Sequence, residues 1–181
     1  MNKRNLVIGL FAIAVIAQLA VPGWILARHE QVIRNGELYR FRCAPVDPVD
    51  LLRGRYVALS FPEMQTKAVP DLEHRIADLY VSFEAGEDQF ARVAAAYPAP
   101  PEDRPYLKVG KFSWRPVAHG DIHIDLPFDR FYMDEKLAPE VEQAMGRRGN
   151  EAVEAYLEVR ILNGRAVPVE LYIDGKPASE L

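Results

Sequence analysis

His119, Asp121, His123 and Asp125 alternate with Gly120, Ile122, Ile124 and Leu126. On a strand, side chains two apart share a face, so the two imidazoles and two carboxylates would stand together. That set has the donor chemistry of a divalent-metal site. The same pattern also describes a half-buried strand that turns His and Asp to water and Ile, Ile and Leu to a core. The residues favour this second description, and no resident metal is expected. Ser60 and Lys67 form another candidate pair. Membrane-anchored, β-rich peptidases of the signal-peptidase type use a lysine amine to activate a serine hydroxyl. Here Ser60 falls within an alternating apolar stretch, not on an exposed turn. Asp47, Asp50, Asp134 and Glu135 supply carboxylates that would make an acid–base couple if two of them met. Asp-Pro and Asp-Glu at element ends more often serve turns and caps.

The remaining nucleophiles are Ser82, Ser113, Ser179, Thr66 and the single Cys43. None lies in a Gly-x-Ser-x-Gly elbow. A Gly-rich phosphate cradle, Cys/His zinc spacing and a haem-attachment motif are all missing, so no cofactor is expected. A lone cysteine makes no internal disulfide, and Cys43 reads as a buried strand residue. His29 lies beside an apolar run and His74 in a candidate helix, and neither has an evident partner.

The elements that must position these residues are mostly strands. Glu37–Cys43 alternates Tyr39, Phe41 and Cys43 against Leu38, Arg40 and Arg42. Residues 56–61 alternate in the same way. The segment 65–77 reads as a polar loop, with a possible helix after Pro70-Asp71. Asp78–Phe83 is a strand, followed by a Gly-containing hairpin loop at 85–88. Residues 89–97 fit a helix through Phe90, Val93, Ala94 and Tyr97, or a strand through Ala91, Val93, Ala95 and Tyr97. The preceding hairpin loop favours the strand. Four prolines between 98 and 105 mark a rigid loop. Tyr106–Trp114, Asp121–Leu126 and 129–133 read as strands, and Lys136–Met145 as a short helix. Two apolar runs flanking Asn163-Gly164 make a hairpin, since that dipeptide suits a tight two-residue turn. The fold class is therefore mainly antiparallel, β-rich α+β, as a curled sheet or small barrel with one or two short helices.

Ahead of this domain, residues 6–27 are 22 consecutive positions with Gln18 as the only polar side chain. About 20 apolar residues suffice for a helix to cross a bilayer. Lys3 and Arg4 before the run predict a cytoplasmic N-terminus, with residues 28–181 outside the cytoplasm. A cleaved signal peptide ending at Val15-Ile16-Ala17 is the alternative, but the apolar run continues well past Ala17. Beyond residue 27 there are 20 basic against 26 acidic residues, a net charge of −6. That balance excludes a nucleic-acid partner and disfavours lying flat on anionic lipid.

The run Gly54-Arg55-Tyr56-Val57-Ala58-Leu59-Ser60-Phe61 resembles the octapeptide of the GDYXXLXY family. Gly54, Tyr56, Leu59 match; Arg55 replaces the family's Asp, and Phe61 its Tyr. Asp47-Pro48 with Leu51-Leu52-Arg53, the later Arg130-Phe131-Tyr132-x-x-Glu135 and the closing Asp174-Gly175-Lys176-Pro177 add to the likeness. The resemblance implies a bacterial protein with one N-terminal span in the inner membrane and no assigned biochemical activity. It also implies a multi-pass membrane protein as partner. Arg55 removes any role that a carboxylate had at that position. The function expected is therefore a membrane-anchored, non-enzymatic envelope protein that serves another membrane protein. A membrane-proximal hydrolase or peptidase, and a metal- or ligand-binding envelope module, are the alternatives.

Overall fold

The computed structural model describes residues 3–45, 56–62, 64–67, 78–110, 114–117, 121–133, 137, 141 and 154–180. Among the described residues, one long helix, α1 (Lys3–Asn35), leads into thirteen strands. These are β1 (Glu37–Arg42), β2 (Ala44–Pro45), β3 (Tyr56–Ser60), β4 (Gln65–Lys67), β5 (Asp78–Ala85), β6 (Ala91–Tyr97) and β7 (Leu107–Gly110). They continue with β8 (Trp114–Pro116), β9 (Asp121–Ile124), β10 (Arg130–Tyr132), β11 (Ala155–Leu162), β12 (Arg165–Ile173) and β13 (Lys176–Pro177), and a 3₁₀ turn closes the chain at Ala178–Glu180. The strands form four open sheets in the orders β1-β11-β12-β13, β10-β3-β2, β4-β9-β8 and β6-β5-β7. Every paired strand runs antiparallel to its neighbour. The domain is mainly antiparallel and β-rich, as expected, and its sheets are open; among the described residues there is no closed barrel.

α1 is long and apolar enough to cross a membrane. Most of its large apolar side chains, Phe11, Ile16 and Leu19 among them, are more than half exposed. The helix does not stop where the apolar run stops. It passes Ala27 and continues to Asn35, and Pro22 lies within it without ending it. The last turns are held by the domain. Val32 is 3 % exposed, the Gly36 N–H donates to the Val32 carbonyl at 2.8 Å, and Arg160 Nη1 donates to the Gly36 carbonyl at 2.9 Å. Strand β1 begins at the next residue, with Glu37 opposite Ile161.

The core is one contiguous cluster centred on Phe41, which is fully buried. Its ring lies 5.1 Å from Phe83, 5.2 Å from Phe128 and 6.2 Å from Phe61. Tilted and edge-on pairs at such spacings are the favoured aromatic geometry. Phe41 thus ties β1 to β5, to the end of β3 and to the turn before β10. The tip of the β11–β12 hairpin has Asn163 and Gly164 both at positive φ, 46° and 81°, as its turn type requires. Gly164 exchanges backbone hydrogen bonds with Tyr106 and Lys108, so the tip is clamped to β7.

Two expectations need correction. Residues 65–67 are not loop: they pair with Asp121–His123 as β4. The expected strand 106–114 is two strands in different sheets, because β7 ends at Gly110 and Trp114 opens β8 opposite Ile124. Residues 89–97 are the expected strand from Ala91 onward. Seven of the eight residues 90–97 are apolar, so their types fit either period. Between Ser82–Ala95 and Phe83–Val93 the register skips Ala94, a bulge that interrupts the two-residue alternation of the strand. The candidate helix after Asp71 lies outside the described residues. Of the 136–145 helix, Leu137 and Val141 are described: the Val141 N–H donates to the Leu137 carbonyl at 3.0 Å, and Val141 is fully buried.

The joint at Gly36 has no room for a side chain. A Cβ there would stand 2.5 Å from the Val32 carbonyl oxygen, 3.1 Å from Arg160 Cβ and 3.2 Å from Ile161 N. Gly36→Ala is expected to destabilise the domain by about 1–3 kcal/mol, as for other overpacked sites. Gly110→Ala, where a Cβ meets nothing within 4 Å, is expected to stay within about 0.5 kcal/mol of wild type. Urea unfolding of the two variants checks this, and equal midpoints would refute the role given to the joint.

Candidate functional site

The alternation read from residues 121–126 is present. Ile122, Ile124 and Leu126 are buried, whereas Asp121, His123 and Asp125 are half-buried on the other face. β9 lies between β4 and β8, so His123 stands opposite Gln65 on one side and Arg115 on the other. His119 lies outside the described residues. Among the described residues, no three His, Cys, Asp or Glu side chains converge as a metal site would require. Asp125 is instead taken by a guanidinium. Arg115 Nη1 lies 2.8 and 3.1 Å from its two carboxylate oxygens, and His123 Nε2 lies 3.4 Å from Asp125 Oδ1. Both partners of the Arg115–Asp125 pair are well exposed, so its worth is about 0–1 kcal/mol.

His123, Asp125 and Arg115 line a cleft of about 350 Å³ together with Ser60, Pro62 and Asp129. A serine, a histidine and an aspartate in one cleft invite a test for nucleophilic chemistry. Activation requires the serine hydroxyl within hydrogen-bond reach of its base. The Ser60 hydroxyl points elsewhere and donates to the Ala44 carbonyl across the β2–β3 pair, at 3.5 Å. No hydrogen bond joins Ser60 to His123. Lys67 is not in this cleft; it sits on β4 opposite Asp121. The cleft holds a structural ion pair and a strand-end serine, and its geometry fits weak polar binding better than acyl transfer.

Two segments of the family-like pattern meet in space. β3 carries Tyr56 and Leu59, β10 carries Arg130 and Tyr132, and the two strands pair with Tyr132 directly opposite Tyr56 and Phe131 opposite Val57. Val57, Leu59 and Phe61 face the core, and Phe61 packs edge-on against Phe128 at 5.4 Å. Tyr132 turns outward and is largely exposed. Asp174-Gly175, both at positive φ, form the tight turn between β12 and β13. Asp47, Pro48, Gly54 and Glu135 lie outside the described residues, so the Asp47–Glu135 couple does too.

Sequence reasoning missed one polar network. On the outer face of β1, β11 and β12, Glu158 and Glu170 stand directly opposite each other. Such a like-charge pair is unfavourable unless neutralised. Arg40 Nε reaches Glu158 at 3.0 Å, and Ser179 Oγ donates to Glu170 at 2.8 Å. Tyr156 and Tyr172 stack beside them at 4.9 Å. The charge of Glu158, then burial, raises the Tyr172 phenol above its usual range. Strand period two could have flagged Arg40, but its partner 118 residues away could not be read without the register.

A comparison with protein families finds that the model described as GDYXXLXY protein matches residues 18–171. No curated protein matches the chain, and neither does any solved structure.

Cys43 is buried, as expected, though it lies just past β1, between that strand and β2. Burial pushes its thiol from 9.0 up to about 12. Burial, then the charge of Glu37 and a hydrogen bond to it, pushes the Tyr39 phenol from 10.0 up to about 12. In the unfolded chain both groups release protons first, so above pH 9 the unfolded state holds fewer protons than the folded one. Stability is therefore fully present below about pH 9 and falls as pH rises toward 12. For Cys43 the slope is at most about 1.4 kcal/mol per pH unit. Urea midpoints are expected to drop between pH 8 and pH 11, and Cys43→Val is expected to flatten the part that begins near pH 9. A midpoint independent of pH over that range would show that neither group is held protonated by the fold, and an unchanged slope in the variant would show this of Cys43.

Proposed function

The chain belongs to the GDYXXLXY family, and from that premise we propose that it is a single-span protein of the bacterial inner membrane. Its N-terminus is cytoplasmic, its domain stands outside the cytoplasm, and the domain serves a multi-pass membrane protein without catalysing a reaction itself. The observation that carries this reading is the continuity of α1 into the domain. The helix leaves the apolar stretch, passes Arg28 without a break and is fixed at Val32 and Gly36. A domain joined in this way holds one orientation to the membrane, as a docking element for a neighbour in the same membrane must. A flexible tether would suit a soluble catalytic unit better.

The same helix supports retention of the span. Cleavage after Ala17 would leave Leu19, Val21, Trp24, Ile25 and Leu26 on the helix, with each of them more than half exposed. Apolar helix surface of that extent calls for lipid. Lys3 and Arg4 on one side, against Arg28 on the other, orient the span by the positive-inside bias.

Alkaline phosphatase, which works only after export, is expected to be active and membrane-bound when fused behind Leu181. A stable but inactive fusion would overturn the orientation. Activity washed from membranes, with a new N-terminus at Gln18, would establish cleavage instead. The partner is tested by affinity purification of the full chain from detergent, where a stoichiometric membrane protein is expected to co-purify. A chain that always runs alone removes the partner from the proposal.

A further inference from the structure

We infer that the cleft at the foot of α1 binds the phosphate of an anionic phospholipid, drawn from the leaflet on the domain's side. This rests on the reading of α1 as a membrane span. The cleft has a volume of about 350 Å³ and lies between the last turns of α1 and the tip of the β11–β12 hairpin. Ile25, Val32 and Val167 give it apolar walls, and Arg28, Lys108 and Arg165 line it with cations. A second cleft of about 240 Å³ adjoins it and shares Arg28, Val32 and Arg165.

Three features identify the ligand. The first is height. The apolar run ends at Ala27, so Ile25 lies at the edge of the hydrocarbon, and Arg28 lies about 4–5 Å further along the helix axis at 1.5 Å per residue. The cleft therefore begins beside acyl chains and ends among headgroups. The second is charge. Lys108 is neutralised by Asp78 at 2.8 Å, and Arg34 by Glu30. Among the described residues, no carboxylate forms an ion pair with Arg28 or Arg165. Arg28 is instead laid over the Trp24 ring, 3.9 Å from its centroid, which fixes it at the interface. Two guanidiniums without carboxylate partners suit a phosphate, which they can bind in bidentate fashion. The third is contrast. The domain carries a net charge of −6, which disfavours general adsorption to anionic lipid, so a basic cleft at its membrane end gathers lipid at one place only.

The test uses the full chain, purified in a non-ionic detergent, stripped of lipid and then titrated with phosphatidylglycerol or phosphatidylcholine. Native mass spectrometry reads the adducts. One phosphatidylglycerol per chain is expected, bound at least fivefold more tightly than phosphatidylcholine. R28Q/R165Q is expected to bind it about tenfold more weakly. R165Q alone, changed at an exposed residue that belongs to the hairpin and not to the helix, is expected to lose several-fold at an unaltered melting temperature. Inorganic phosphate at millimolar concentration should not displace the lipid. Equal adducts in wild type and R28Q/R165Q, or no adduct in wild type, overturn the inference. Displacement by inorganic phosphate overturns the lipid assignment in favour of a soluble anion. The span is read separately, from the chain's resistance to carbonate extraction of membranes. A chain that resists extraction but holds no lipid defeats this inference alone, whereas an extracted chain defeats the span on which it rests.

Discussion

A helix end must satisfy its last carbonyls, and in this protein the rest of the fold follows from how α1 does so. The chain has a single residue, Gly36, between the helix and β1. Over that residue the backbone must turn from helix to strand, and the Gly36 carbonyl is taken by Arg160 from the adjacent strand β11. Because Glu37 then pairs at once with Ile161, the register of β1 on β11 is set by the same contact that ends the helix. A one-residue slip would turn Tyr39, Phe41 and Cys43 to solvent and bring Arg40 and Arg42 into the core. The helix joint and the core therefore depend on each other.

Phe41 carries that constraint into the other sheets. It is the third residue after Leu38 on β1, and its ring touches rings from β5, from the end of β3 and from the turn before β10. Four small open sheets, several with strands of only two to four residues, have little ladder bonding of their own. They cohere because their inner faces share one aromatic cluster. Truncating such a ring typically costs about 3–5 kcal/mol, a large share of the marginal stability of a small domain. Phe61, where the family pattern has tyrosine, fits this view. It is 7 % exposed and lies edge-on to two other rings, so the position is filled by the ring, and loss of the hydroxyl leaves the packing intact.

What could be read from the sequence was local. Asn163-Gly164 and Asp174-Gly175 announce tight turns because few other dipeptides adopt positive φ twice. The face of His123 and Asp125 was legible because three apolar residues alternate with them. Other features depended on residues distant in sequence. Residues 90–97 are apolar at every position but Arg92, so their types fit a helix as well as a strand, and only the pairing with β5 decides between them. β4 is three polar residues, Gln65-Thr66-Lys67, which become a strand only because β9 offers an edge. The site was less legible than the fold. Arg115 had no signal in the sequence marking it as the partner of Asp125, since the pairing arises from β8 and β9 lying side by side. Ser60 was visible as a strand residue, but only the β2–β3 pairing shows that its hydroxyl is spent on the Ala44 carbonyl.

The distribution of charge follows from the same joint. An acidic domain beside a membrane is kept off anionic headgroups by its own field, unless its attachment holds it there. The attachment in this protein is rigid, and the cations lie at it: Arg28 on the helix, Arg165 at the hairpin tip and Arg160 under Gly36. Arg160 is consumed by the backbone it caps, and Lys108 by Asp78. Arg28 and Arg165 differ because neither closes a strand, a turn or a helix end, and the hairpin would hold its shape with other residues at position 165. A rigid joint needs Gly36, Val32 and Arg160. It does not need Arg28 and Arg165, and if α1 spans a membrane as proposed, binding a lipid phosphate is a role the fold itself does not assign to any other residue.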